Sequence, residues 1–120
     1  MKKYFTILLF AALLTSCSKN LSKTGLVGKW KLTESLMDPG DGSGQWTSPS
    51  EKTIIEFTNS GLIKYENKQS DNYKVTSDST MELLSGSSST INYRYKVDVD
   101  KLYMRPPCIE ACGEKYERVK

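Results

Sequence analysis

Ile91-Asn92-Tyr93-Arg94-Tyr95-Lys96-Val97 is the stretch that decides the fold, because apolar and polar side chains alternate in it without a break. Successive side chains of a β-strand point to opposite faces, so this pattern predicts a strand with one buried face. The same period of two dominates from Leu26 onward, and turn residues interrupt it roughly every ten to twelve positions. This spacing is typical of an antiparallel meander.

The alternation predicts eight short strands and no helix in the body of the chain. They are centred on Gly28–Met37, Ile55–Phe57, Ile63–Tyr65, Tyr73–Val75, Met81–Leu83, Ile91–Val97, Leu102–Met104 and Tyr116–Arg118. An open antiparallel sheet leaves two exposed edges that can pair with other chains. We therefore expect an all-β fold, an eight-stranded up-and-down barrel or half-barrel, with a two-sheet sandwich as the alternative.

The N-terminus has the features of an export signal. Lys2 and Lys3 precede an apolar run, Tyr4–Leu14, that is too short to span a bilayer. The run ends in Leu14-Thr15-Ser16-Cys17, which resembles the bacterial lipobox. The resemblance implies a signal peptide over residues 1–16 and an acylated Cys17, the alternative being an ordinary secretory signal that ends in Cys.

Residues 17–25 are polar after the cysteine and without periodicity, so we expect a flexible tether followed by one domain over residues 26–120. Ser18, rather than an acidic residue, follows the cysteine. By analogy with other lipoproteins this favours anchoring in the outer membrane, on its periplasmic side. The bilayer, reached through the lipid anchor, is thus the first expected partner.

Composition excludes several classes of function. The 120 residues contain no histidine, which removes the commonest general base, the usual partner of a Ser or Cys nucleophile and the usual zinc ligand. Without the two lysines of the leader, the formal net charge falls from +3 to +1. The domain therefore has no basic field for nucleic acid. We expect no enzymatic activity, no cofactor and no metal.

Cys108 and Cys112 are left over once Cys17 is assigned to the lipid. In an oxidising compartment such a pair is expected to form a disulfide. The alternative is a redox-active or metal-binding C-x-x-x-C motif, but no helix-forming active-site pattern surrounds it and no histidine can complete a zinc site. The pair is interpreted as a structural staple at one end of the barrel.

Acidic residues cluster in predicted turns rather than in a cleft. The Gly-rich loop Asp38–Gly44 lacks the order of a calcium-binding loop, and we interpret it as a turn-forming loop. Asp98 with Asp100, and Glu110 with Glu114, have the composition of glycosidase carboxylate pairs. Their position in turns predicts solvated side chains instead.

A family resemblance rests on four segments: Gly28-Lys29-Trp30, which has the form G-x-W, the loop Asp38–Trp46, Thr53–Phe57 ahead of Gly61, and Cys108–Cys112. Together they resemble the short lipocalin-like domains found in lipoproteins of Gram-negative bacteria, over Leu26 to the C-terminus. The resemblance implies a β-barrel that binds a ligand.

The resemblance also implies how the barrel closes. Gly28 and Trp30 would close one end, with the ring of Trp30 beneath a late arginine. Arg118 is the first candidate for that arginine and Arg105 the second. Glu34 shares the phase of Trp30, so it either points inward near Arg118 or is turned to solvent by a β-bulge.

Aromatic residues are concentrated on the predicted inner faces. They either fill the barrel, which an eight-stranded interior is narrow enough to allow, or form a pocket with their hydroxyl groups. The candidate ligand-binding residues are Tyr65, Tyr73, Tyr93, Tyr95 and, on the long first loop, Trp46.

Two non-catalytic functions stay open from the sequence. One is a carrier of a small apolar ligand within the envelope. The other is a protein-interaction or inhibitor module that acts through the loops at one end of the barrel, with an envelope protein as the partner. Inward tyrosines favour the first function, and an exposed Trp46 would favour the second.

We predict that the mature protein begins at an acylated Cys17, because the signal and the lipobox end at the same residue. Mass spectrometry of protein extracted from membranes should find a lipidated N-terminal fragment that starts there. Unmodified protein free in the periplasm would contradict this prediction.

Overall fold

The computed structural model describes residues 25–86 and 89–120. Within these ranges the chain forms eight strands and no helix. The strands form a closed antiparallel barrel in sequence order, the last pairing with the first. The strands are β1 (Gly28–Met37), β2 (Ile54–Phe57), β3 (Leu62–Tyr65), β4 (Asp71–Val75), β5 (Thr80–Ser85), β6 (Ser89–Asp98), β7 (Lys101–Arg105) and β8 (Cys112–Arg118). The up-and-down barrel is confirmed. The sandwich is excluded because all eight strands belong to one closed sheet.

Strand β1 closes the barrel by pairing with a different neighbour along each edge. Its first residues pair with β2, from Gly28 opposite Phe57 to Lys31 opposite Ile54. From its third residue onward it pairs with β8, from Trp30 opposite Arg118 to Met37 opposite Cys112. The ten-residue strand is thus long enough to bridge the staggered ends of the sheet.

A bulge interrupts the β1–β8 ladder between Leu32 and Glu34. The extra residue shifts the alternation of β1, so that Glu34 lies opposite Lys115 and its carboxylate meets the Lys115 ammonium at 2.8 Å. Both side chains are about two-fifths exposed. Of the two alternatives for Glu34, the bulge is therefore the one that the structure adopts, and no Glu34–Arg118 pair forms.

The two ends of the barrel differ in their connections. The short turns β2–β3, β4–β5 and β6–β7 lie at the end where Gly25 and Trp30 are found, which we call the Trp30 end. The longer connections, 38–53, 66–70 and 106–111 among them, lie at the opposite end, which we call the mouth.

Buried apolar side chains pack the Trp30 end. The Trp30 indole is wholly buried, and its Nε1 donates a hydrogen bond to the Leu26 carbonyl at 2.8 Å. Phe57 lies across from Gly28 and makes an edge contact with Tyr73, with ring centroids 5.1 Å apart. The largest fully buried side chains are Trp30, Phe57, Leu26, Ile63, Met81 and Leu102.

The β6–β7 turn contains a strained residue. Val99 and Asp100 connect the paired Asp98 and Lys101, and Val99 has a φ of 51°. A β-branched residue in the left-handed region is a conformational outlier, and this turn position favours glycine. The Val99 side chain is 80% exposed, so packing within the described chain does not compensate for the strain.

The expected disulfide joins Cys108 to Cys112. It spans the connection between β7 and β8 at the mouth, directly after Pro106 and Pro107, and Cys112 begins β8. Proline cannot donate to a strand ladder, so β7 ends at Arg105. The disulfide and the prolines together give the β7–β8 connection a fixed shape, as the staple interpretation predicted.

The signal peptide, Cys17 and the tether up to residue 24 lie outside the described residues. Among the residues that are described, no helix is long and apolar enough to cross a membrane.

Replacing Trp30 by Ala should destabilise the domain by about 3–5 kcal/mol, because it removes a fully buried aromatic ring and leaves a cavity. Trp46→Ala is the matched control, since Trp46 lies on the outside of the barrel and should cost less than half as much. Denaturant unfolding followed by circular dichroism measures both losses. Equal losses would show that Trp30 does not hold the barrel closed.

Val99→Gly should stabilise the domain by about 1 kcal/mol. Glycine adopts the positive φ without strain, which stabilises the folded state by roughly 1–2 kcal/mol. This gain exceeds the roughly 0.5–1 kcal/mol of extra conformational entropy that glycine loses on folding. The melting temperature should rise by about 4–8 °C. Val119→Gly, at an exposed valine without a positive φ, should bring no gain, and a fall for Val99→Gly would contradict the interpretation.

Candidate functional site

Arg118 joins three parts of the chain at the Trp30 end. Its guanidinium carbon lies 4.2 Å from the centroid of the Trp30 ring. The same group donates hydrogen bonds to the carbonyls of Gly25 and Val27, and its Nε lies 3.6 Å from an Asp100 carboxylate oxygen. Arg118 thus has the position that the sequence analysis expected for the barrel-closing arginine, whereas Arg105 is exposed on β7.

The first position of the G-x-W segment requires glycine, because a side chain at Gly28 would collide with Arg118. Its φ is 138°, and a Cβ atom would lie 2.8 Å from a guanidinium nitrogen of Arg118. The glycine therefore lets the arginine reach the carbonyl groups of the N-terminal segment. Gly28, Trp30 and Arg118 form a seal at this end of the barrel.

Two of the predicted ligand-binding tyrosines lie at the same sealed end. The Tyr73 hydroxyl donates to the Thr58 carbonyl at 2.7 Å, and the Tyr95 hydroxyl donates to the Ser77 carbonyl at 3.2 Å. Both acceptors lie in turns of the Trp30 end. The geometry of these tyrosines is that of core residues that fasten turns, and their role in ligand binding stays a prediction.

The other two predicted tyrosines point toward the mouth, where they meet charged groups. The Tyr65 hydroxyl donates to the Asp71 carboxylate at 2.8 Å. The hydroxyl of Tyr116 donates to the Glu114 carboxylate at 2.7 Å. Tyr93 lies on the inner face of β6, and the charges of Glu114 and Asp71 raise the pKa of its hydroxyl. We call these five residues the mouth cluster.

Sequence reasoning missed the acidic half of the mouth cluster. Glu114 was expected to be solvated in a turn, but it lies within β8, two residues before Tyr116 and on the same inner face. Asp71 has the same relation to Tyr73 in β4. The sequence feature that could have identified these carboxylates is the period of two, which puts residues i and i+2 on one face whether they are polar or apolar.

The mouth cluster keeps its tyrosines protonated. Burial raises the pKa of Tyr65 and of Tyr116 far above the ordinary value, and the neighbouring carboxylates raise it further. Burial and the charges of Glu114 and Asp71 also raise the pKa of Tyr93. A tyrosine in this state is a hydrogen-bond donor at every physiological pH.

A lysine of the chain itself lies against the mouth cluster. Lys68, in the β3–β4 connection, has its ammonium 3.8 Å from the centroid of the Tyr65 ring. This is the geometry of a cation–π interaction, in which the negative face of the ring attracts the charge. The rim of the mouth thus already attracts a cation.

The structure places Trp46 apart from the interior tyrosines, on the outer surface of the barrel. Its ring is 5.9 Å from the ring of Tyr103, and the Lys115 ammonium lies 4.0 Å from its centroid. A Cβ at Gly113 would lie 2.9 Å from the indole, so this glycine makes the close approach possible. Trp46 holds the first loop against β7 and β8, and it does not share a pocket with the mouth cluster.

The loop that precedes Trp46 is organised by Asp38. Its carboxylate accepts hydrogen bonds from the backbone N–H groups of Gly40, Gly42 and Gly44, at 2.7, 3.1 and 2.9 Å. These hydrogen bonds lower the pKa of Asp38, with the bond from Gly40 as the largest cause. The carboxylate is occupied in shaping the turn, as the interpretation of this segment as a turn-forming loop predicted.

Comparison with known proteins bears on the N-terminus. Residues 1–18 match the family model of the prokaryotic membrane lipoprotein lipid attachment site. The protein is therefore a bacterial lipoprotein, anchored by lipid in the cell envelope. A search of curated proteins found no match to the chain.

Tyr116→Phe should destabilise the domain by about 1.5–3 kcal/mol, because it removes a hydrogen bond to the charged Glu114 inside the barrel. Tyr103→Phe, on the outer surface, is the matched control and should change stability very little. Denaturant unfolding of the two variants measures the difference. Equal stabilities would show that the Glu114 carboxylate is satisfied by solvent.

Proposed function

We propose that the protein is a non-catalytic, lipid-anchored binding protein of the cell envelope that takes a small ligand at the mouth of its barrel. The observation that carries this proposal is the mouth cluster, Tyr65, Tyr93, Tyr116, Asp71 and Glu114, inside the barrel opposite its sealed end. The function is that of a carrier or receptor, with no chemical step.

The polarity of the mouth cluster supports binding over simple filling. Placing a carboxylate inside a barrel is costly unless it is hydrogen-bonded, and apolar side chains would fill the same space without that cost. The Trp30 end is packed with buried apolar side chains such as Trp30 and Phe57, whereas Asp71 and Glu114 at the mouth are half-buried carboxylates. The contrast between the two ends indicates that the mouth is adapted to something other than packing.

The chemistry of the cluster suits a flat apolar ligand that carries a hydrogen-bond donor or a positive charge. The tyrosine rings offer apolar faces, and the two carboxylates can accept hydrogen bonds. Lys68 already covers a face of the Tyr65 ring, so the positive charge of a ligand is expected beside the two carboxylates and not on that ring. A fatty acid would place its own negative charge beside Asp71 and Glu114, which is unfavourable.

Outer-membrane anchoring on the periplasmic side also belongs to the proposal. It is supported by the absence of an acidic residue after Cys17, where Ser18 follows. The lipocalin-like resemblance is supported by the closed eight-stranded barrel and by the G-x-W segment beneath Arg118. Binding inside the barrel is what that resemblance implies.

A second candidate function is protein recognition through the loops of the mouth. Ile109 is fully exposed on the disulfide-bonded connection, and Met37, opposite Cys112, is 83% exposed. Exposed apolar side chains on a rigid loop are typical of anchors in protein interfaces. This candidate predicts an envelope protein as the partner.

The test is a titration of the purified domain with two probes, phenethylamine and palmitate, followed by calorimetry. The amine should bind, and Glu114→Gln should weaken it about tenfold, as the loss of roughly 1.4 kcal/mol would. Tyr93→Trp should block the mouth and abolish binding. Trp46→Phe, altered outside the barrel, should leave the affinity unchanged.

Binding that survives Tyr93→Trp would overturn the assignment to the mouth. Absence of binding for both probes would contradict the small-ligand carrier and favour the protein-interaction module. That candidate is then tested by Ile109→Asp, which should abolish copurification of a specific envelope protein.

A further inference from the structure

The chain enters the barrel at its sealed end. Gly25 is the first described residue, and its carbonyl accepts a hydrogen bond from Arg118. Leu26 is buried and its carbonyl accepts the hydrogen bond of the Trp30 indole, so the described start of the chain is fastened to the Trp30 end. Whatever the tether is attached to is therefore attached to this end.

The tether between the lipid anchor and the barrel is short. Eight peptide units separate Cys17 from Gly25, which gives at most about 29 Å at full extension. Because Cys17 lies in the matched lipid attachment site, the Trp30 end stays within that distance of the bilayer surface. Confinement of this kind raises the effective concentration of the end at the surface, so even a weak contact is populated.

An exposed apolar side chain lies beside the attachment point. The Val99 carbonyl accepts a hydrogen bond from the same Arg118 guanidinium that binds the Gly25 carbonyl, so the β6–β7 turn lies next to the start of the tether. Val99 is 80% exposed, and Val119, which follows Arg118, is the second exposed valine at this end. The strained backbone at Val99 holds that side chain outward in a turn where glycine would fit better.

Each acidic residue around Val99 has a basic neighbour, so these charges would not keep Val99 from a membrane. Asp100 lies within 3.6 Å of Arg118 and within 3.5 Å of Lys120. Asp98 lies opposite Lys101 in the β6–β7 ladder. The tether between Cys17 and Gly25 contains two lysines and no acidic residue, which suits an anionic phospholipid surface.

We infer that the Trp30 end rests on the bilayer that holds Cys17, that Val99 contacts the lipid interface, and that the mouth faces away from that bilayer. The exposed surface of the Trp30 end is thus covered by the anchoring membrane itself. The proposed ligand would then reach the mouth cluster from the aqueous compartment. The inference depends on the lipid anchor and not on ligand binding at the mouth.

Nitroxide labels test this orientation in the acylated full-length protein, reconstituted in vesicles of phosphatidylethanolamine and phosphatidylglycerol. Acylation of Cys17 and the Cys108–Cys112 disulfide leave an introduced cysteine as the single free thiol. Val99→Cys places a label at the Trp30 end. Leu84→Cys is the matched control, since Leu84 is an exposed apolar residue near the mouth end of β5.

The label at Val99 should lose access to a water-soluble nickel chelate and gain access to oxygen on reconstitution, whereas the label at Leu84 should not change. Equal access at the two positions, or protection at Leu84 alone, would overturn the inference. Protection of Val99 that also occurs in unacylated protein without vesicles would indicate a second copy as the occupant and would overturn it as well.

A second experiment places the label elsewhere on the Trp30 end, so that the contribution of the Val99 side chain itself can be measured. With the nitroxide at Ser60→Cys, in the β2–β3 turn of the same end, protection by vesicles should be seen in the otherwise unchanged protein. Adding Val99→Asp should reduce that protection, because a charged tip is repelled from the lipid interface. Protection unchanged by Val99→Asp would show that Val99 makes no contact with lipid. Thermal unfolding confirms that each variant is folded.

Discussion

Closure of the sheet between β1 and β8 is the constraint on which the rest of the structure depends. Trp30 and Arg118 are opposite each other in that ladder, and the guanidinium lies on the indole ring. The same guanidinium binds the carbonyls of Gly25 and Val27. One side chain therefore joins the last strand, the first strand and the segment that leads to the membrane. The sealed end and the place where residue 25 joins the barrel both follow from this arrangement.

The architecture could be predicted from the sequence because it depends on periodicity. The unbroken alternation of Ile91–Val97 became β6, and the repeated turns gave an antiparallel meander whose edges had to close. The sequence could not decide the direction of Glu34, because a bulge depends on the register with β8. Nor could it place Trp46, whose contact with Tyr103 depends on how a long loop folds back over the barrel.

The candidate site was predicted in part. The period of two identifies the face of a side chain, but it gives neither its height along the barrel axis nor its hydrogen-bond partner. Tyr73 and Tyr95 therefore resembled Tyr65 and Tyr93 in the sequence, although they bind turn carbonyls at the opposite end. The carboxylate of Glu114 was missed because its neighbours suggested a turn, whereas β8 begins at Cys112 and takes Glu114 into the barrel.

The position of the disulfide has a consequence for folding during export. Every strand pair except β1 with β8 joins neighbours along the chain, so the hairpins form from local contacts and the closing ladder is the one step of high contact order. Cys108 and Cys112 are four residues apart within the last of these hairpins. Their oxidation needs no distant contact and can precede closure. A chain that crosses the cytoplasmic membrane unfolded can thus be oxidised at once without being trapped in a wrong topology, and closure is left to the pairing of its first and last strands.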